Sequence, residues 1–444
     1  MNRHPKTSSG RASILVGLLW CLALLSLIVI GVLHTARMDL LVVKNYGDQI
    51  QARYLALAGI SRAEALLYRD AKDRSHSKIN HNGNFYNDSA SFRDVKFGRG
   101  VYNVIRRGRT DENGEIIYGV SDEESRLNVN TADTNALEQL PNLTPDVATA
   151  IVNWRGGDHS AAAAEAQYYA GMQPPYQPRN GPFQTVRELL MVRGVTPELL
   201  LGKDHQQNGL IGEIGDHPNG FVDNADLGWA ANLTVDSSVA NVNAAGEARV
   251  NIQSADENAL TGISGITPPM ARAIVSYRGK HQFNSIADLL DVTPQNQNDN
   301  GSQNSRSSDG SGSGNVVSET LFTEIADDIT VNDNQALTGA INVNTAGLDV
   351  LICLPGVTRE IAQAIISQRQ SNGFFASAAE LLKVPGLTRD IFKGIAPLVT
   401  VRSETYRILA EGKIASTGAR QRIQAIVHIG LNDIKLLSWR EDDL

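Results

Sequence analysis

At 444 residues the chain is long enough for two to four compact units. Its 42% hydrophobic and 20% charged residues describe a globular ectodomain on a stalk and exclude a disordered protein. A net charge of −8 argues against nucleic acid as the main partner, and the two cysteines, Cys21 and Cys353, lie too far apart in the organisation below to pair.

Residues 1–10 form a short cationic leader ending in Gly10, and Arg11 follows it. An uncharged apolar run of 20 residues then extends from Ile14 to Leu33, with Leu15, Trp20, Leu24 and Ile28 along it. At ~1.5 Å per residue it spans roughly 30 Å, one bilayer core. Arg3, Lys6 and Arg11 precede it, so the positive-inside rule leaves the N-terminus cytoplasmic and the rest exported. A cleavable signal has a shorter apolar core and a small-residue site. Here Arg37, Met38 and Asp39 lead directly into Leu40, Leu41 and Val42, so the run reads as a retained anchor.

The helical pattern continues to about Arg69, giving one helix of about 55 residues. Ile50, Tyr54, Leu57, Ile60 and Leu67, with Ala56, Ala58 and Ala63 between them, form a stripe that requires a covering layer. After a polar stretch, Gly100–Arg106 and Ile116–Tyr118 flank Asn113-Gly114, the pattern of a hairpin with a type I′ turn. The chain ends in three strand-like segments, Thr405–Leu409, Ile423–Ile429 and Ile434–Trp439, separated by Gly412, Gly418 and Asn432-Asp433. A sheet built from both ends of the ectodomain covers the stripe, and the material between is an insertion.

That insertion repeats without gaps. Asn128-Val-Asn-Thr-Ala132 through Arg155 recurs as Asn251-Ile-Gln-Ser-Ala255 through Arg278, and again as Asn342-Val-Asn-Thr-Ala346 through Arg369. Each copy reads as helix, tight turn, helix. Phe183–Leu200, Phe283–Val292 and Phe375–Leu398 carry related second halves, and Leu233-Thr-Val and Ile329-Thr-Val read as strand-like lead-ins to copies two and three. Residues 295–315 are almost entirely Asn, Gln, Ser, Gly and Asp, a flexible linker between those copies. His159–Asn180 reads as a long loop.

The copies resemble helix-hairpin-helix modules. In the DNA-binding form a Gly-hydrophobic-Gly turn offers backbone N–H groups to a phosphate. Here Thr144, Thr267 and Thr358 replace the second glycine, and Asn142 replaces the first in copy one, where Gly265 and Gly356 hold that place in the others. A threonine there caps the following helix and fills the place of a phosphate. Net charge is +1 over 342–400 and −1 over 250–292, so neither tracks phosphates. Scaffold or protein contact is the reading, with nucleic acid disfavoured. The nine histidines are scattered, and there is no H-E-x-x-H, G-x-S-x-G or P-loop, so no catalytic site is expected. Asp122-Glu123-Glu124, Asp216…Asp223…Asp226 and Asp327-Asp328 could hold calcium but lack EF-hand spacing, and solvated acidic turns are the preferred reading; no cofactor is assigned.

Several stretches together resemble the general secretion pathway protein K family, the minor pseudopilins of type II secretion. These are the leader and span, Gln51-Ala-Arg-Tyr-Leu-Ala-Leu-Ala-Gly59, Asp122-Glu-Glu-Ser-Arg-Leu-Asn-Val-Asn-Thr-Ala132, Ile151-Val-Asn-Trp-Arg155, Ala164-Glu-Ala-Gln-Tyr-Tyr169, the loop Pro174–Phe183, Val401-Arg-Ser-Glu-Thr-Tyr-Arg407 and Trp439-Arg-Glu441. The resemblance implies an α+β fold: a long N-terminal transmembrane helix and a type IV pilin-like α/β domain, with a large inserted helical region of helix-hairpin-helix or SAM-like type. The expected division is leader 1–10, helix 11–70, first pilin-like part 71–125, module one 126–228, module two 229–293, linker 294–316, lead-in and module three 317–398, and closing strands 399–444. Module two and the linker look like additions to the family's domain.

The resemblance also implies leader cleavage after Gly10, with Ala12 the second candidate, although the family favours an apolar or small residue where Arg11 stands. Family subunits carry a glutamate as the fifth mature residue to pair with a neighbour's N-terminal amine, since a lone carboxylate in lipid is costly. Counted from Arg11 the fifth residue is Leu15, which suits a first-placed, distal subunit. The expected role is a non-enzymatic cap of the pseudopilus tip that helps start assembly, in the bacterial inner membrane. Its expected partners are the other minor pseudopilins, the assembly platform, and the secreted substrate or outer-membrane channel. The alternative is a membrane-anchored DNA receptor of the competence type.

Overall fold

The computed structural model describes residues 10–108, 112, 116–157, 162–202, 228–293 and 316–441. Helix α1 (Gly10–Ser77) is continuous over 68 residues, eight residues further than the periodicity suggested. It is long and apolar enough to cross a membrane. Residues 14 to 47, Ile14, Leu15, Trp20, Leu24, Ile28 and Leu33 included, are exposed along its first half. Burial begins at Asp48, which accepts from Arg99 and from the Thr417 hydroxyl.

The second half of α1 lies on an antiparallel sheet formed by β1 (Val95–Phe97), β2 (Gly100–Arg107), β13 (Thr405–Lys413), β14 (Arg420–Ile429) and β15 (Ile434–Arg440) in that order. β3 (Ile116–Tyr118) pairs with β2, and β4 (Ser121–Asp122) pairs with β13. The short helix α2 (Ser89–Phe92), capped by Asp88, drives Phe92 into the core between α1 and the sheet. The Asn113-Gly114 turn lies outside the described residues.

The buried face of α1 is Ala52, Leu55, Ala56, Ile60, Ala63, Leu66 and Leu67, whereas Ile50 and Tyr54 of the expected stripe are exposed. Small residues win that face because the sheet comes close. A Cβ at Gly59 would press on Ala410, and one at Gly412 would strike the Ala52 carbonyl. Gly412 is therefore no strand separator. It sits inside β13, paired with both Gln421 and Tyr102.

The chain leaves this sheet after Asp122, which pairs with Tyr406, and returns at Thr405, so both ends of the insertion meet at one point. Module one comprises β5 (Leu127–Asn128), α3 (Thr134–Glu138), α4 (Pro145–Trp154), α5 (Ala162–Ala170), a 3-10 turn at Val186–Met191, α6 (Pro197–Leu201) and β6 (Leu233–Thr234). Its first and last strands pair in parallel and close the unit. A hairpin of β7 (Ser238–Ala240) and β10 (Ala336–Thr338) then brackets module two: β8 (Val250–Asn251), α7 (Glu257–Thr261), α8 (Pro268–Arg278), a 3-10 turn at Ile286–Asp291, α9 (Glu319–Ile325) and β9 (Ile329–Thr330). Module three repeats the plan with β11 (Ile341–Asn342), α10 (Leu348–Leu351), α11 (Arg359–Asn372), a 3-10 turn at Ala378–Lys383, α12 (Arg389–Ile395) and β12 (Val399–Thr400). One continuous apolar core runs through all three.

This corrects three expectations. Leu233-Thr-Val and Ile329-Thr-Val do not lead into the next copy; each pairs back onto the first strand of its own module. The boundaries at 228 and 293 therefore cut through modules one and two. The polar segment 294–315 lies outside the described residues, but in chain order it falls within module two, between the 3-10 turn and α9, and not between modules two and three. Its two ends are joined by a hydrogen bond from the Val316 N–H to the Val292 carbonyl. Finally, the expected loop 159–180 contains α5, whose Tyr169 is fully buried edge-on to Trp154.

Candidate functional site

The three acidic residues at the root of the insertion are buried, not solvated: Asp122, Glu123 and Glu124 are 3%, 0% and 0% exposed. Burial of a carboxylate demands donors, and each residue collects them from a different part of the fold. Asp122 accepts from the Thr345 hydroxyl, from the Ser403 hydroxyl at 2.6 Å, from the Asn342 amide at 3.2 Å and from the Glu124 N–H at 2.8 Å. Glu123 faces Arg407 at 2.7 Å and accepts from the Thr234 hydroxyl at 2.5 Å. Glu124 accepts from the backbone N–H groups of Ser238 (3.0 Å) and Thr405 (3.1 Å). The start of the insertion, the end of module one, the start of module three and the return to β13 thus converge on three consecutive side chains.

Their electrostatics differ. Burial raises the pKa of Asp122, and its hydroxyl donors offset only part of that. Glu124 is pushed well above the usual carboxylate range, first by burial and then by the neighbouring Asp122 charge. Burial acts on Glu123 as well, but the Arg407 and Arg126 charges outweigh it and hold its pKa low. The surroundings thus favour the charged form of Glu123 and disfavour that of Asp122 and Glu124. Among the described residues no group of His, Cys, Asp and Glu forms a metal-binding cluster. Asp216, Asp223 and Asp226 lie outside them.

A buried arginine completes the junction. Arg402 donates to the carbonyls of Ala240 (2.7 Å) and Val242 (2.8 Å) and to Asn80 Oδ1 (3.0 Å), tying the β7–β10 hairpin to the segment after α1. Burial pulls its pKa down to about 10, so it remains charged at neutral pH. The Asn82 amide donates to the Ser403 carbonyl and to the Tyr406 hydroxyl. Asp327 is also structural: it accepts from Arg249 at 2.7 Å and from Asn80 at 2.7 Å.

The repeated residues of the modules do repeated work. Asn128, Asn251 and Asn342 each turn the chain by accepting the N–H two residues on. Arg155, Arg278 and Arg369 each reach back to two carbonyls of the first strand and turn, those of Val129 and Ala132, Ile252 and Ala255, and Val343 and Ala346. Equal spacing of asparagine and arginine was visible in the sequence; their pairing through the backbone was not.

The hairpin-turn residues lie as follows. Asn142, Gly265 and Gly356 adopt positive φ (61°, 89° and 75°), the left-handed region that asparagine and glycine tolerate. All these turn residues are solvent-exposed, yet four of the turn glycines lie against the other hairpin of their own module. A Cβ at Gly265 would meet Leu321, at Gly356 Ile391, at Gly194 Val147 and at Gly386 Ile361. Each partner is the third residue past the N-cap of the other hairpin's second helix. The capping expectation holds at Thr358, whose hydroxyl accepts from the Ile361 N–H, but Thr144 and Thr267 make no such bond. Thr196, also followed by proline, does cap, so proline is not the reason and nothing in the structure explains the difference. Gly10 and Arg11 fall at the first turn of α1.

Residues 125–202 match the family model of type II secretion system protein K, and residues 246–294 and 338–400 match that of the helix-hairpin-helix motif. Over 62 residues, 14% of its length, the chain is 37% identical to ComE operon protein 1 of Bacillus subtilis (strain 168), and it spans 30% of that relative. Among solved structures it is similar to a chain of the GspK-GspI-GspJ complex from the enterotoxigenic Escherichia coli type 2 secretion system. That similarity has a TM-score of 0.37 and 11% identity, over 90% of this chain and 98% of that one. The class is an α+β protein with a long apolar N-terminal helix and a helix-hairpin-helix region. Within that class the chain is protein K-like, with further helix-hairpin-helix modules.

Proposed function

We propose that the protein is a non-enzymatic minor pseudopilin that sits at the tip of a type II secretion pseudopilus and helps start its assembly. The observation that carries this reading is the unbroken helix α1, membrane-compatible in its first half and packed on a sheet in its second, with the helical modules branching from one point between β4 and β13. A subunit so built joins a filament through α1 and holds a bulky block clear of the shaft. Leader removal after Gly10 leaves Leu15 as the fifth residue, with no carboxylate in the span that needs a neighbour's amine. On this reading α1 crosses the inner membrane with its N-terminus inside. The other minor pseudopilins and the assembly platform are its partners, and the modules face the secreted protein or the outer-membrane channel.

The intact mass and N-terminal sequence of the membrane-extracted protein test it. A start at Arg11 with a methylated amine is expected; a start near Ala36, or an unprocessed Met1, overturns the pseudopilin reading. A competence-type DNA receptor is the rival, and it requires salt-sensitive DNA retardation by the full chain. Two cations of module three are already engaged by module two, Arg389 with Glu319 at 2.5 Å and Lys393 with Asp291, which favours a protein scaffold.

A further inference from the structure

Modules two and three meet through equivalent parts. Counted from the N-caps Ser318 and Thr388, Glu319 and Arg389 are the first residues of α9 and α12, and Phe322 and Phe392 are the fourth. These equivalents touch each other. Arg389 donates to Glu319 at 2.5 Å, and the two phenylalanine rings, both fully buried, meet edge-on with centroids 5.9 Å apart. The flanking contacts are reciprocal. α12 lies on the 3-10 turn Ile286–Asp291 of module two, and α9 lies on the matching turn Ala378–Lys383 of module three. A cavity of about 80 Å³ between the modules is lined by further matched pairs: Ile286 with Ala378, Ile329 with Val399 and Thr330 with Thr400. Equivalent residues in mutual contact, with reciprocal flanks, define an isologous interface, the kind that joins the two subunits of a symmetric dimer. Here it lies inside one chain.

Only the charges break the symmetry. Glu319 faces Arg389, and Asp291 of module two pairs with Lys393 of module three. Where module two holds Asp291, module three holds Lys383. Two copies of module three joined in this way would set Arg389 against Arg389 and Lys393 against Lys383. Two copies of module two would set Glu319 against Glu319. Opposed like charges reject both, so the phenylalanines supply attraction and the charges admit an unlike module. The covalent tether leaves module two separable. It hangs from β7 and β10, whose innermost residues Ala240 and Ala336 are direct partners, so its two ends lie together.

We infer that module three carries a docking face for an acidic module of its own plan, filled in cis by module two, and that a second copy of this chain fills it in trans by exchanging module two. The root contacts, Asp327 with Asn80 and the Val242 carbonyl with Arg402, are remade with the second chain, which is what makes such an exchange cost little. The inference is independent of the pseudopilin reading. The test co-expresses two full-length chains with different tags and measures how much of one is retained with the other after membrane extraction. One chain carries Arg389→Glu and Lys393→Glu, the other Glu319→Arg and Asp291→Lys. Each chain repels its own module two, and two copies of either repel as well; only the mixed pair matches both faces in trans. Mixed retention should exceed like-with-like retention of either variant by about tenfold or more. Association through α1 is common to all three pairings and cancels. One chain carrying all four substitutions regains its cis pairs and should return to wild-type retention, which separates charge pairing from misfolding. Mixed retention no greater than like-with-like overturns the inference. If either double variant fails to accumulate, co-expressed Glu319→Cys and Arg389→Cys chains treated with a short bismaleimide decide: a covalent dimer supports the exchange, and its absence overturns it.

Discussion

Modules one and three are built into the sheet domain, whereas module two is attached to it. All three share one plan, but their equivalent asparagines reach different places. The Asn342 amide donates to the buried Asp122, and that of Asn128 donates to Ser237, inside the same junction. The Asn251 amide goes to the exposed side of the molecule and Asp333. Module two is held by the hydrogen bond from Asn80 to Asp327, by ion pairs to α12, by an edge-on contact of Phe322 with Phe392 and by the apolar core it shares with its neighbours. It hangs inside the β7–β10 hairpin, whose innermost partners, Ala240 and Ala336, are direct neighbours. The same fold unit is thus a structural necessity in two places and an appendage in the third, and what differs is its neighbours.

The strongest way to break this comparison is excision. Replacing 242–334 by a two-residue Asn-Gly turn should leave a folded but less stable protein, because the hairpin closes without module two while Phe392 is uncovered and Arg402 loses the Val242 carbonyl. Loss of secretion or of cargo specificity with insertion intact is the expected phenotype. Removing 341–401 should abolish folding, since it takes both Asn342 and Thr345 from Asp122. Excising only 250–292 should also misfold locally, because it strands α9 and β9. Limited proteolysis and thermal melts of the membrane-extracted variants distinguish the three.

Next come matched point substitutions. Asp122→Ala leaves several buried donors unpaired and should cost about 3 kcal/mol, against about 0.5 kcal/mol for Asp333→Ala in module two. Arg369→Met should cost about 3 kcal/mol and the more exposed Arg278→Met about 1 kcal/mol, although both arginines make the same two carbonyl bonds. Urea midpoints with unchanged slopes would report these values; equal costs within either pair would dissolve the distinction between modules.

The pH dependence of the junction follows from two opposite shifts. The pKa of Glu124 is raised on folding, so its contribution is complete below the ordinary carboxylate pKa and is lost as pH rises through its raised value. The pKa of Glu123 is lowered on folding, so its contribution is present above the ordinary value and is lost as pH falls through its depressed one. Stability should therefore peak in mild acid. Glu124→Gln should flatten the alkaline side of the profile and Glu123→Gln the acid side, as read by melts across pH. The smallest effect is expected at the partly exposed Arg389–Glu319 pair, where Arg389→Ala should change stability by no more than about 0.5 kcal/mol.

Much was legible without coordinates. Uninterrupted apolar residues from Ile14 to Leu33 fit a membrane anchor, and the apolar run between Gly418 and Asn432-Asp433 marks β14 as a strand, which the structure buries on both faces from Ile423 to Val427. The three copies were visible because Asn, Thr-Ala and Arg recur at fixed spacing, and fixed spacing is what a local hydrogen-bond pattern requires. Three things were decided only in the tertiary structure, each by contacts between residues distant in the chain. Which face of α1 is buried was set by how closely Gly412 and Ala410 approach it, and this favoured Ala52 and Ala56 over Ile50 and Tyr54. Where each module ends was set by parallel pairs of two residues, too short to carry a periodic signal. That Asp122-Glu123-Glu124 is buried could not be read from the sequence, because three consecutive acids look solvated until donors such as Thr234, Asn342, Ser403 and Arg407 are folded onto them.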